Sequence, residues 1–382
     1  MSFIKWFEKF YLIENFFGIY KNYCKFKKVK KCFIVLHVFV QSTLQLIIVL
    51  SEFYLLFSSD STSEFYIVGL YSLVAYINSL SFVLNGVWHS EAFMTFHSSI
   101  SRLSNHFTSD KELTKSIKKL FWLLLPLVLF FLVFSIYRAV SSIKLFPNST
   151  NPFILGSILV SLTVVRIIII SQNFLSFLSI ILVFYLSKSL TLLITTAKKA
   201  VRMNDINFGE PRDVTIYQIQ EWVGLYRELI ICCENVSVAF GQQFVFSLTM
   251  TLAHYILMMY HTVCLHAVQQ SGAWSLFYAL ARMILVASVY LLVMVMSLYA
   301  GQKLRNQGMK IQQKLASLYN ILIVDASLPE SKLVKDFIRL IKKNPLRIKL
   351  LSKASAGMYM LPFILMLAIN YFIVLLQFNH II

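Results

Sequence analysis

Seven apolar stretches punctuate the chain: Cys32–Phe57, Tyr66–Trp88, Leu120–Tyr137, Ile154–Leu186, Val236–Val268, Trp274–Tyr299 and Gly357–Phe378. A helix needs roughly 20 apolar residues to cross a hydrocarbon core of about 30 Å. The third stretch is the shortest but is almost purely apolar (LFWLLLPLVLFFLVFSIY), so it counts as a span. The fourth and fifth run to 33 residues each with no turn cluster in the middle. Each therefore reads as one helix of about 50 Å, overshooting the bilayer and projecting into water. The expected fold is an all-α membrane protein with seven transmembrane helices.

Between these stretches the pattern changes period without leaving the helix. In residues 301–322, Leu304, Ile311, Leu315, Leu318 and Leu322 fall on one helical face with Lys and Gln opposite, so span six is expected to continue past the membrane. Residues 331–344 repeat the pattern through Val334, Phe337, Ile338 and Ile341, with Ser331 as a candidate cap and Pro345 as the interruption. With the overshooting spans four and five, these helices are expected to bury their stripes against one another as a cytosolic base. An interfacial helix lying on the membrane is the other reading of one of them.

Composition fits this plan. Apolar residues make up 58% of the 382 and charged residues 14%, which excludes an ordinary soluble protein. Yet the net charge is +18, and its placement decides orientation. Lys and Arg number eight in 1–31, five in 89–119, six in 187–235 and twelve in 301–356. The alternate loops 58–65, 138–153 and 269–273 carry none, two and none. Positive loops stay in the cytosol, so the amino end is expected inside and the carboxyl end outside. That is the reverse of a G-protein-coupled receptor. The expected organisation is then a basic cytosolic segment 1–31, spans one to six within 32–300 carrying a ligand pocket, a cytosolic helical region 301–356, a last span 357–378 and an outer tail 379–382. No cleavable signal peptide is visible, and the first span serves as a signal anchor. Lys25, Lys27, Lys28, Lys30 and Lys31 abut it as a topology signal. Asn148-Ser149-Thr150 is a glycosylation sequon in an outer loop.

Candidate chemistry is sparse. The chain has no phosphate-binding G-x-x-x-x-G-K loop, no G-x-S-x-G elbow and no C-x-x-C pair. A zinc hydrolase would need intramembrane His and Asp. His254 and His261 share a face of span five, but no Asp lies in any span, so neither an enzyme nor a metal or other cofactor is expected. Cys232 and Cys233 read as packing residues. The positive surplus lies where topology demands it, and no nucleic-acid module accompanies it.

Charges inside spans are expensive, which makes them functional candidates. Glu52, Arg166 and Arg282 all fall toward the outer side, among Tyr76, Asn78, His254, Tyr255, Tyr260, His261 and Tyr278. Two readings stand: an outward-facing aromatic pocket for a small organic molecule, or a structural bridge between Glu52 and one arginine. The last span has no charge, and Pro362 is expected to break or kink it near its inner end. Its main polar groups are Asn370, Tyr371 and Gln377, and Tyr371, Val374, Leu375 and Phe378 form one stripe at i, i+3, i+4 and i+7. Either that stripe packs within one bundle, or several copies place it around an axis.

The ending Asn370-Tyr371-Phe372-Ile373-Val374-Leu375-Leu376-Gln377-Phe378 resembles the closing signature of insect gustatory receptors, which is Thr-Tyr, five apolar residues and Gln-Phe. Asn370 stands where Thr is usual. The inverted seven-span plan, the length and the long cytosolic helices extend the resemblance over the whole chain. The resemblance implies a tetrameric, ligand-gated, non-selective cation channel, a homotetramer or a heteromer with related receptors. It implies a pore lined by the outer part of the last helix, a shared cytosolic anchor, and a pocket among spans two to six. Phe378 would be the hydrophobic gate and Gln377 its polar neighbour. Tyr371 would pack or flank the pore, and Val374 shares the stripe. Partners would be a small tastant, permeating cations and the bilayer of a sensory neuron's plasma membrane. With Glu52 the only acid in the spans, the ligand expected is apolar or bitter rather than a sugar. A seven-span transporter, or a receptor signalling through a separate partner, is the competing class; a transporter would need paired repeats or helices broken at mid-membrane, whereas no repeat is apparent and only Pro126 and Pro362 interrupt a span.

Overall fold

The structure is a computed structural model that describes residues 14–16, 18–58, 63–107, 152–204, 214–269, 273–323, 329–350 and 354–378, with five isolated positions between 115 and 133. Eight helices of more than one turn are described: α1 (Lys28–Ser58), α2 (Ser63–Trp88), α3 (Ser90–His106), α4 (Pro152–Asn204), α5 (Ile216–Gln269), α6 (Ala273–Leu322), α7 (Pro329–Lys343) and α8 (Met360–Phe378). Most of the predicted third span lies outside the described residues; Trp122, Pro126, Leu129 and Val133 within it are helical.

The three longest helices have 53, 54 and 50 residues, or about 75–80 Å at 1.5 Å per residue. That is more than twice a hydrocarbon core of about 30 Å. They run on well past the apolar stretches of spans four, five and six, because amphipathic sequence takes over where the uniformly apolar sequence ends.

The overshooting segments hold the main core. On α6, Leu304, Ile311, Leu315 and Leu318 are fully buried and Leu322 nearly so. They meet Leu186, Leu190 and Ile194 of α4, Ile219, Tyr226 and Leu229 of α5, and Val334, Phe337 and Ile341 of α7 in one cluster. A second cluster joins Ile34 and Val38 of α1 and Phe82 and Val83 of α2 to Ile168 and Ile169 of α4, with Ile19 of the amino-terminal segment.

Two expectations change. Ser331 is not a cap: α7 starts at Pro329, and Ser331 is its third residue and buried. Proline suits a first helical position because its missing N–H has no acceptor there. The helix is further matched to its dipole by Glu330 in the first turn and Lys342 and Lys343 in the last. Likewise Pro362 does not break span seven. It is the third residue of α8, inside the first turn, where no intrahelical hydrogen bond is lost. The chain enters α8 through an antiparallel hairpin, β1 (Lys349–Leu350) with β2 (Ala354–Ser355), in register Lys349 to Ser355 and Leu350 to Ala354.

Candidate ligand and pore region

Helix α8 packs on α5 and, more lightly, on α6. Its amino-terminal end is anchored by Ile364, which is buried, whereas Phe363, Met366, Ile369, Tyr371, Ile373 and Val374 are exposed on the single chain. Tyr371 is 55% and Val374 43% exposed. Gln377 is also exposed. The Tyr371–Val374 stripe is thus turned away from the protomer's own core. The Phe378 side chain lies outside the described residues.

The candidate pocket residues are not brought together by what is described. Tyr76 is buried, and its hydroxyl donates to the Ser42 carbonyl at 3.1 Å, tying α2 to α1. The side chains of Glu52, Arg166, His254, Tyr255, His261, Tyr278 and Arg282 lie outside the described residues, as does Asn148.

Beneath the candidate pocket helices sits an assembly that the sequence did not announce. Residues 14–16 and 18–26 fold against the bundle. Lys21 and Glu14 form an ion pair at 2.8 Å with side-chain exposures of 0% and 3%. Gln172 Nε2 of α4 donates to the same Glu14 oxygen at 2.5 Å. Phe93 of α3 and Phe240 of α5 face the Lys21 ammonium at 5.0 and 5.5 Å from their ring centres. Burial pushes the Glu14 carboxyl above its ordinary range, and the Lys21 charge opposes that. Burial pulls the Lys21 ammonium down, and Glu14 opposes it. The turn works because Gly18 has φ +80°, where a side chain would be strained and would collide with the Gln41 amide of α1. Tyr20 hydrogen-bonds His37 at 2.8 Å, and Ile19 abuts Gly86 of α2. One short segment therefore touches α1 through α5.

The connector from α7 to α8 is clasped in the same way. Tyr226 of α5 donates to the Asn344 carbonyl at 2.9 Å, and Lys349 N–H donates to Ser237 Oγ of α5 at 2.8 Å. Three glycines lie under it. A Cβ on Gly241 would come 2.7 Å from the Lys349 carbonyl oxygen, one on Gly301 2.7 Å from that of Ala356, and one on Gly308 3.3 Å from Leu346 Cβ. The base of α8 is thereby seated on α5 and α6.

A family described as 7tm chemosensory receptor matches this chain over residues 11–380. The chain belongs to that family. The insect olfactory receptor OR5 from Machilis hrabei has the same fold at TM-score 0.67 and 14% identity, covering 98% of each chain. Its complex with eugenol aligns at TM-score 0.70 and 15% identity with the same coverage. No curated protein sequence matches. Family and fold make this a multi-pass membrane chemoreceptor.

Reading the receptor from its sequence missed α3, although Phe93, Phe96, Ile100 and Leu103 repeat at helical spacing and are all buried. It also missed the glycine seat; the spacing of Gly301 and Gly308, seven apart on one face, was the available signal. The receptor's Cys232 and Cys233 are packing residues, as expected: both are buried, and burial raises both thiols, Cys233 to about 12 and Cys232 well above its usual range. Cys24 and Cys32 are exposed. Native maleimide labelling followed by peptide mapping is expected to modify Cys24 and Cys32 and spare Cys232 and Cys233, because the thiolate is the reactive form.

Proposed function

We propose that this receptor is a gustatory ligand-gated, non-selective cation channel of the plasma membrane of sensory neurons, assembled from four copies or with related receptors. The observation that carries the reading is family membership over residues 11–380 together with the closing Tyr371–Gln377–Phe378 signature. The exposed Tyr371–Val374 stripe supports it, since an apolar face left open on one protomer suits neighbouring copies around an axis. Amino end inside and carboxyl end outside follows from the positive loops. Four Phe378 rings would close the pore by excluding water, and Gln377 would supply the polar neighbour. A small tastant, apolar or bitter, would enter a pocket among Glu52, Tyr76, Arg166, His254, Tyr255, His261, Tyr278 and Arg282. Binding the open shape better than the closed one would shift the population toward conduction.

Patch-clamp of the receptor expressed alone tests this, with sugars, alkaloids and amino acids as the screen. Cation current without nucleotide or G protein is the expected result. Phe378→Ser is expected to raise basal current. Current that appears only with a coexpressed signalling partner would favour a receptor of the indirect kind.

A further inference from the structure

Buried polar atoms nearly always have hydrogen-bond partners, and one that lacks them needs a reason. In this receptor such atoms gather where α2, α4 and α5 meet. Gln243 of α5 is 4% exposed, yet neither its Oε1 nor its Nε2 has a partner among the described residues. Asn78 of α2 is 3% exposed and Asn85, two turns further along the same face, 5%, and neither Oδ1 has a partner among the described residues.

Two bonds fix how these residues face. Asn85 Nδ2 donates to the Ala239 carbonyl of α5 at 2.7 Å. Asn173 of α4 donates to Ser247 Oγ of α5 at 2.8 Å. Ala239, Gln243 and Ser247 are four residues apart, so they form one stripe, and Gln243 lies between the contact with α2 and the contact with α4. On α2, Asn78 and Asn85 are seven residues apart on one face, and Phe82 lies between them along the helix, packed with Ile34 and Val38 of α1 and Ile168 and Ile169 of α4. The two helices run in opposite directions, so seven residues outward from Asn85 faces seven residues beyond Ala239. Asn78 thus stands opposite the Gln243–Ser247 level.

We propose that this three-helix seam binds ordered water, held by the Gln243 amide and bridged to the side-chain carbonyls of Asn78 and Asn85. The atoms to be satisfied are three acceptors and one amide donor. Gln243 Nε2 could donate to an asparagine carbonyl, but its own Oε1 would still lack a donor, and a carbonyl can only accept; a molecule that donates and accepts satisfies all four. Water does both, and needs only two to four polar partners in a space of one molecule. The seam is closed to bulk solvent, with Phe82 between the two asparagines at 1% exposure. In such surroundings each unpaired amide end is costly, and the bridge removes that cost.

Radiolytic hydroxyl-radical footprinting of the purified wild-type receptor tests the site, because water bound beside a buried ring generates radicals there. Phe82 is expected to be oxidised several-fold faster than Phe337, a ring of equal exposure in the cytosolic core. Gln243→Met keeps the size and removes the polar ends; it is expected to slow Phe82 oxidation and lower the melting temperature. Equal rates at Phe82 and Phe337 in the wild type would overturn the proposal. So would a Gln243→Met receptor that melts at the same or a higher temperature, since removing a dry, unpaired amide is neutral or stabilising. If the variant does not fold, the wild-type comparison of the two rings still decides.

Discussion

Replacing Lys21 by Met is expected to destabilise the receptor by about 3–5 kcal/mol, the cost of leaving one partner of a buried ion pair uncompensated. The reason is the environment. Glu14 is 2% exposed and, among the described residues, keeps only the Gln172 amide as a donor once the ammonium is gone. Lys21 also gives up its contacts with the rings of Phe93 and Phe240. Heating the detergent-solubilised receptor and following the surviving folded peak by size exclusion measures the loss. The double variant Glu14→Gln with Lys21→Met is expected to recover much of it, because an uncharged pair of similar volume removes the desolvation cost. Acid should also help the single variant. The carboxyl of Glu14 already lies above 4.5 in the folded receptor, and losing Lys21 raises it further. A carboxyl raised on folding gives stability that is present below its unfolded value and lost as pH rises through the folded value. The deficit of Lys21→Met should therefore shrink as pH falls toward 4.5. A deficit that stays constant with pH would mean that packing, not charge, holds the amino-terminal segment.

Gly301→Ala is expected to cost about 1–3 kcal/mol, the usual range for forcing extra volume into a packed site. The added Cβ would stand 2.7 Å from the Ala356 carbonyl oxygen and 2.8 Å from Ala356 Cβ. The obstacle is backbone, so relief requires moving the connector and the base of α8. Gly241→Ala meets the Lys349 carbonyl at the same distance and should behave alike. Gly224 supplies the contrast, being helical with nothing within 4 Å of its would-be Cβ. Gly224→Ala is expected to stabilise by about 0.5–1 kcal/mol through helix propensity alone. Equal responses at the three positions in the same thermal assay would remove the case for a glycine seat under the connector.

These two predictions rest on features of different legibility. The helices that extend beyond the apolar stretches were readable, because the stripe Leu304–Ile311–Leu315–Leu318–Leu322 has helical period and is buried as that period requires. Cys232 and Cys233 were readable as packing residues because no metal-ligand spacing to a His surrounds them. The amino-terminal wedge was not. Glu14 and Lys21 look like solvated charges in a basic segment, and Gln172 lies more than 150 residues from Glu14. Only the packing of α3, α4 and α5 around them turns two ordinary charges into a buried pair.

Pro362 and the glycines carry the same lesson. Pro362 inside an apolar run reads as a break, and only the start of α8 at Met360 makes it a first-turn residue with no bond to lose. Gly301 and Gly308 lie inside a helix, and only the connector laid across them gives the missing side chains a role.

By itself, the sequence determined what local periodicity and charge can determine: helical segments, their apolar faces, the sidedness expected from loop charge, and a closing signature that points to a chemosensory family. These depend on neighbours within a few turns. The tertiary structure alone decided which polar groups lose water and whom they meet: Lys21 with Glu14, Asn85 with Ala239, and Gln243 with no protein partner. Desolvation is a property of the whole packed bundle, so no window of the chain can contain it.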